Sequence, residues 1–214
     1  MLKSIWAVAL LFGLLTRWPI GPRPTGSIEG RVTLREAPRT LAAGRYPGAG
    51  GGAPREVKPL PAVVYLEGRV GEAPVRSDAR MAQHDTAFAP PLVVVSVGSA
   101  IEFPNEDPFF HNVFSYSRPK RFDLGRYPRG ESKRIVFDQP GTISVLCEIH
   151  KWMQGAIVVV ENEFHAVVSA DGTFAIPSVP PGKYRLVVWQ SNRGSKTLEV
   201  EVPDGGTARV DVSL

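Results

Sequence analysis

The chain is poor in the residues that most site chemistry needs. Its 214 residues hold one cysteine, four histidines and three methionines. A single cysteine excludes an internal disulfide, and a lone thiol in an exported chain calls for a reason such as metal binding or reactivity. No Gly-x-Ser-x-Gly elbow is present, which removes the serine-hydrolase reading that such a turn would carry. No dense Lys/Arg tract with interleaved aromatics occurs and the formal charge is only +4, so nucleic acid is not an expected partner. Helical periodicity of useful length is missing throughout. The apolar run from Ile5 to Leu15 is too short to cross a bilayer comfortably.

Turn-forming residues are abundant instead. Glycine and proline number 21 and 20, about a fifth of the chain against a usual share of about an eighth. With 43% hydrophobic residues the chain can still bury a core. Strands are expected at 26–34, 62–67, 91–97, 100–103, 111–115, 132–137, 142–147 and 155–160, with turns such as Asn105-Glu106-Asp107-Pro108 and Asp138-Gln139-Pro140-Gly141 between them. Residues 68–80 read as a polar connection. The pattern resumes at 164–169, 173–176 and 183–190. Strands 196–202 and 207–214 read as a terminal hairpin around Pro203-Asp204-Gly205-Gly206. The fold class expected is all-β, built from two sandwiches.

The seven residues Cys147-Glu148-Ile149-His150-Lys151-Trp152-Met153 gather a thiol, an imidazole and a thioether in one short loop. These are three of the four donors of a blue-copper site, in which two histidines and a cysteine bind in a near-trigonal plane with a long axial methionine bond. Ile143, Val145 and Cys147 share one strand face, so the sulfur is expected to point inward. The fourth donor would be a histidine on a neighbouring strand. His111 follows Phe109-Phe110 and opens Asn112-Val113-Phe114, an apolar setting. His84 lies in the polar stretch Met81-Ala82-Gln83-His84-Asp85 and is expected at the surface, and His165 is expected to be structural or exposed. With His111 and His150 used, too few histidines remain for a separate catalytic copper, so no enzyme is expected. Zinc also takes Cys and His ligands, but the thioether and the Irving–Williams order favour copper.

Residues Phe103-Pro104-Asn105-Glu106-Asp107, His111-Asn112-Val113-Phe114-Ser115, Phe122-Asp123-Leu124-Gly125, Pro140-Gly141 and the 147–153 loop together resemble a cupredoxin, of the plastocyanin and amicyanin type. The resemblance covers about residues 76–160 and implies a Greek-key sandwich holding one type 1 copper. It also implies His111, Cys147 and His150 as equatorial ligands and Met153 as the axial one. It implies further that Asn112 braces the cysteine loop, and that His150 passes single electrons to a redox protein partner through an apolar patch. Ile149 and Trp152 are candidates for that patch, and Trp152 reads equally as an anchor packed over the site.

A second resemblance rests on Asp171-Gly172-Thr173-Phe174-Ala175-Ile176 and Val179-Pro180-Pro181-Gly182-Lys183-Tyr184-Arg185-Leu186, which are similar to a carboxypeptidase-regulatory-like, transthyretin-related sandwich. Such domains open with strands like 26–32 and 63–66. Two arrangements follow. Either the cupredoxin segment is inserted into a discontinuous domain made of 26–67 and 161–214, or 161–214 is a separate module. The run 38–61 is rich in Gly and Pro and reads as a loop. Residues 1–25 read as an export signal or as an N-terminal membrane anchor, with the periplasm the expected address. The competing reading is a copper-binding envelope module with a carrier, sensing or structural role.

Overall fold

Alternating apolar and polar residues, punctuated by glycine and proline, build the described part of the chain from strands. The computed structural model describes residues 24–34, 59–72, 74, 76 and 78–214. Nearly all of the 1–25 leader and of the 38–61 loop lie outside the described residues. Among the described residues seventeen strands are present and no helix, and none is long and apolar enough to cross a membrane. In order they are β1 (Gly26–Thr33), β2 (Val63–Leu66), β3 (Ala79–Arg80), β4 (Ala82–His84), β5 (Ala87–Ala89), β6 (Leu92–Ser96), β7 (Ser99–Pro104), β8 (His111–Ser115) and β9 (Phe122–Tyr127). They continue as β10 (Ser132–Phe137), β11 (Gly141–Leu146), β12 (Gln154–Val160), β13 (His165–Val167), β14 (Thr173–Val179), β15 (Gly182–Gln190), β16 (Gly194–Val202) and β17 (Thr207–Ser213).

The middle of the chain forms a five-stranded sheet, β6-β12-β11-β8-β9, and a three-stranded sheet, β10-β7-β3. Period-two alternation turns Ile143 and Val145 of β11 and Ile157 and Val159 of β12 into a core shared with Ile101, Phe103 and Phe137 of the other sheet. Full burial of such side chains contributes about 1.5–3 kcal/mol each relative to exposure. Two stretches differ from the sequence reading. The end of the 68–80 connection pairs as β3, parallel to β7. The stretch 81–85 is not a polar surface segment. Met81, Ala82 and Gln83 are buried, and β4 and β5 form a small hairpin; His84 and Asp85 face solvent.

The remaining strands form a second sandwich, with sheets β14-β1-β17 and β13-β2-β15-β16. Its core unites Ile28 and Val32 of β1, Val64 and Leu66 of β2, and Phe174, Ile176, Leu186, Val188, Val200 and Val202. β1 lies between β14 and β17, and β2 between β13 and β15. The two N-terminal strands are thus central in sheets otherwise made from the last third of the chain. The expected terminal hairpin is absent. β16 pairs with β15, while β17 runs parallel to β1 in the opposite sheet. Val200 and Val202 face the core from one side and Ala208 and Val212 from the other, so the corner at 203–206 carries the chain between layers.

The chain leaves this sandwich after Leu66 and returns at Phe164, and the two crossings are tied. Leu66 N donates to Phe164 O at 3.0 Å. Buried Asn162 donates from Nδ2 to Leu66 O and Gly68 O at 2.8 and 2.6 Å and accepts from Phe164 N at 2.9 Å. A separate apolar cluster of Val63, Leu92, Ala156, Val158 and Val160, flanked by Trp189 and Tyr65, joins β12 and β6 to β2 and β15.

Candidate metal centre

β8 begins at His111, which sits opposite Tyr127 of β9. β11 ends at Leu146, opposite Phe114 of β8, and delivers Cys147 to the same end of the sandwich. The 147–153 loop then turns back, closed by a bond from Met153 N to His150 O at 2.8 Å. These three elements bring His111, Cys147 and His150 together, with one donor atom from each lying within 4.8 Å of the others. His111 Nδ1 is 3.0 Å from His150 Nδ1 and 3.9 Å from Cys147 Sγ. Two nitrogens and a sulfur at these separations fit one shared cation at bond lengths of about 2.0–2.3 Å. His111 and Cys147 are 0% and 3% exposed, while His150 is half-buried. Met153 is buried in the same apolar cluster as Cys147, three residues beyond His150.

The tautomer of His111 follows from its other nitrogen. Asp107 Oδ2 lies 2.7 Å from His111 Nε2, and a carboxylate only accepts, so Nε2 carries the proton and Nδ1 turns its lone pair toward the cluster. Asp107 is itself fixed. Its oxygens accept from the backbone N–H of Asp85 and Thr86 at 2.8 and 2.9 Å. Those two residues have φ of 52° and 54°, so successive N–H groups converge into an anion-holding nest. Asn105 holds the intervening loop by donating to Phe109 O and Tyr127 O and accepting from Asp107 N. Burial pushes the Asp107 carboxyl up, but the bonds from Thr86, His111 and Asp85 outweigh it and hold the group below the usual range. Sequence reasoning read 105–108 as a turn and 103–107 as part of the cupredoxin resemblance, and gave Asp107 no role of its own. The available signal was a carboxylate four positions before a candidate ligand.

Asn112 occupies the bracing position that the resemblance implies. Glu148 N donates to Asn112 Oδ1 at 2.8 Å, tying the cysteine loop to β8. Arg126 of β9 pairs with Glu148 from outside. Beneath the site, Tyr127 donates its hydroxyl proton to Phe103 O at 2.8 Å and accepts from Gln83 Nε2 at 2.6 Å. At the surface, the His150 ring contacts Phe109 and Trp152, with centroids 5.6 and 5.2 Å apart. Burial, then the neighbouring His111, keep the His150 imidazole below its ordinary pKa, which favours the neutral, ligating form. The other histidines stand apart. His84 is exposed beside Glu106 and Asp85, and His165 pairs with Tyr65 in the second sandwich.

Known proteins match both parts. The carboxypeptidase regulatory-like domain family matches residues 144–214, which takes in β11 and β12 as well as the strands beyond them. Amicyanin-alpha of Methylorubrum extorquens is 31% identical over 94 residues, covering 42% of this chain and 77% of that protein. Among solved structures, a purple cupredoxin from Nitrosopumilus maritimus matches at 22% identity and a TM-score of 0.35, covering 38% of this chain and 99% of that one. A copper-containing nitrite reductase from Thermus scotoductus matches at 25% identity and a TM-score of 0.38, covering 61% of this chain and 28% of that one. The chain belongs to the amicyanin-type cupredoxins and combines that sandwich with a carboxypeptidase regulatory-like one.

Proposed function

We propose that the protein is an exported carrier of single electrons, in which His111, Cys147, His150 and Met153 would together hold one type 1 copper. The observation that carries this reading is the convergence of two imidazole nitrogens and one buried sulfur within 4.8 Å, in a chain of the amicyanin type. Copper in such a donor set supplies one-electron cycling between Cu(I) and Cu(II). The residues supply rigidity. Asp107 holds the His111 ring, Asn112 holds the start of the cysteine loop, and the Met153–His150 backbone bond closes its end. Cys147 and Met153 keep water out, and His150 lies at the surface between Phe109 and Trp152, where a partner's redox centre can approach. The same contacts serve either reading of Trp152, as patch residue or as anchor.

We further propose that 26–67 and 161–214 form one discontinuous sandwich with the cupredoxin segment, about 76–160, inserted into it. The central places of β1 and β2 between C-terminal strands support this. The leader at 1–25 supports export to the periplasm, whether it is cleaved or kept as an anchor. The regulatory-like sandwich favours the alternative of an envelope copper module without electron transfer. Cycling separates the two. An electron carrier loses its blue absorption on addition of ascorbate, regains it with hexacyanoferrate(III), and repeats this with one electron per protein. An envelope module without redox function stays colourless or fails to cycle.

A further inference from the structure

The excess positive charge of this chain is concentrated in one place. Residues 116–134 hold seven Lys/Arg against two Asp/Glu, which exceeds the net +4 of all 214 residues. This segment is β9, β10 and their flanks, and each of those strands is the edge of its sheet. The charges therefore line the open rim of the cupredoxin sandwich. Three have acidic partners within the chain: Lys120 with Asp138, Arg126 with Glu148 and Arg134 with Asp78. Arg118, Arg121, Arg129 and Lys133 are exposed, and among the described residues none has an ion-pair partner; Lys133 lies 5.7 Å over the Tyr127 ring.

The rim starts at the metal loop. Tyr127 is the cross-strand neighbour of His111, and Arg126 reaches Glu148, the residue after Cys147. From there β9 runs away from the site for about 20 Å, at about 3.3 Å per residue. Beside the rim lies an apolar tip, where Phe109, Phe110, Ile149 and Trp152 are exposed around His150. An apolar centre bordered by charge is the anatomy of a protein interface, and it does not suit a phosphate backbone, which needs basic groups across its whole track.

We propose that this rim docks an acidic redox protein, whose carboxylates meet Arg118, Arg121, Arg129 and Lys133 while its redox centre faces the apolar tip. The inference rests on the electron-carrier reading above. Charge complementarity of this kind raises association rates by about 10–10³-fold and is screened by salt. Edge strands also carry Lys and Arg simply to block strand-to-strand aggregation, and that role would leave electron exchange indifferent to salt.

The test uses the full, copper-loaded protein in stopped flow with an acidic and a basic c-type cytochrome. Rates are compared at about 0.01 M and about 0.15 M ionic strength, where the Debye length is about 30 Å and about 8 Å. The rate with the acidic cytochrome should fall by about tenfold or more as salt rises, and the rate with the basic one should not fall. The triple variant Arg121→Glu, Arg129→Glu, Lys133→Glu should lose that salt effect while keeping its visible spectrum. Normal cycling with ascorbate but a salt-indifferent rate with the acidic cytochrome would overturn the docking surface alone. So would a triple variant that behaves as the parent, or a salt-indifferent rate combined with salt-sensitive binding to phosphatidylglycerol vesicles, which would reassign the rim to a membrane. A protein that ascorbate cannot reduce would overturn the electron-carrier reading and this inference with it.

Discussion

Asp107 shows how much of the site depends on a residue that binds nothing itself. Its carboxylate accepts from two backbone N–H groups and from His111, so one short turn sets the angle of a buried imidazole. Asp107→Asn removes the charge and can no longer accept through both side-chain atoms. It should lower Cu(II) affinity by about 10–100-fold. It should also raise the reduction potential, because a lost negative charge stabilises Cu(II) less while Cu(I) needs it less. Competition against a copper chelator and a redox titration read the two effects separately. At the proposed ligands, Cys147→Ser should abolish the sulfur-to-copper absorption, and His84→Ala should leave it intact, since His84 lies at the surface beside Glu106. A bleached His84→Ala protein would mean that the first histidine ligand is misassigned. The proposed ligand loop stood out in the sequence because its candidate donors are rare: one cysteine, and a histidine and a methionine from sets of four and three. Asp107 did not, because Asn-Glu-Asp-Pro is turn chemistry whatever lies above it. Nothing local says that the 85–86 turn folds back over it.

Among the elements, period-two alternation located most strands but not their partners. The two terminal strands show the limit. Their alternation and the Pro203-Asp204-Gly205-Gly206 turn fit a hairpin, yet β17 lies against β1, some 180 residues earlier in sequence. Pairing of that range is decided by which core face each strand can cover, and a local pattern does not encode it. β1 makes the dependence testable through Gly30. Its chain runs so close to β17 that a Cβ at Gly30 would sit 1.7 Å from Val210 O, and backbone cannot yield as a side chain would. Gly30→Ala should cost about 1–3 kcal/mol or more. The urea midpoint should fall, while the copper spectrum in the absence of urea should not change, because Ile28 and Val32 of β1 pack in one core and Cys147 and Met153 in another. A variant with the parent midpoint would show that β1 does not pack centrally.

Over the whole molecule, two cores are joined by a third. The Val63, Leu92, Ala156, Val158 and Val160 cluster gives β12 two buried faces, one toward the cupredoxin core and one toward the regulatory-like sandwich. This explains why β12 reads as a continuous apolar run and not as an alternating one. Stability of the whole should depend on pH through His165, whose imidazole burial holds below its ordinary pKa and whose Nδ1 has no partner among the described residues. Below about pH 6.5 the unfolded chain binds a proton that the folded chain refuses, so stability falls as pH falls. Urea unfolding of the metal-free protein at several pH values should show this slope, and His165→Gln should reduce it. The remaining slope belongs in part to His150, whose pKa is also lowered. All of this serves one claim, that the described fold exists to hold His111, Cys147, His150 and Met153 rigid around one copper. The visible and EPR spectrum of the copper-loaded protein tests that claim most directly. The account predicts an intense blue sulfur-to-copper band with the compressed copper hyperfine splitting of a type 1 site, at one copper per chain. A colourless protein, or one with the wide splitting of an ordinary tetragonal Cu(II) site, would contradict it.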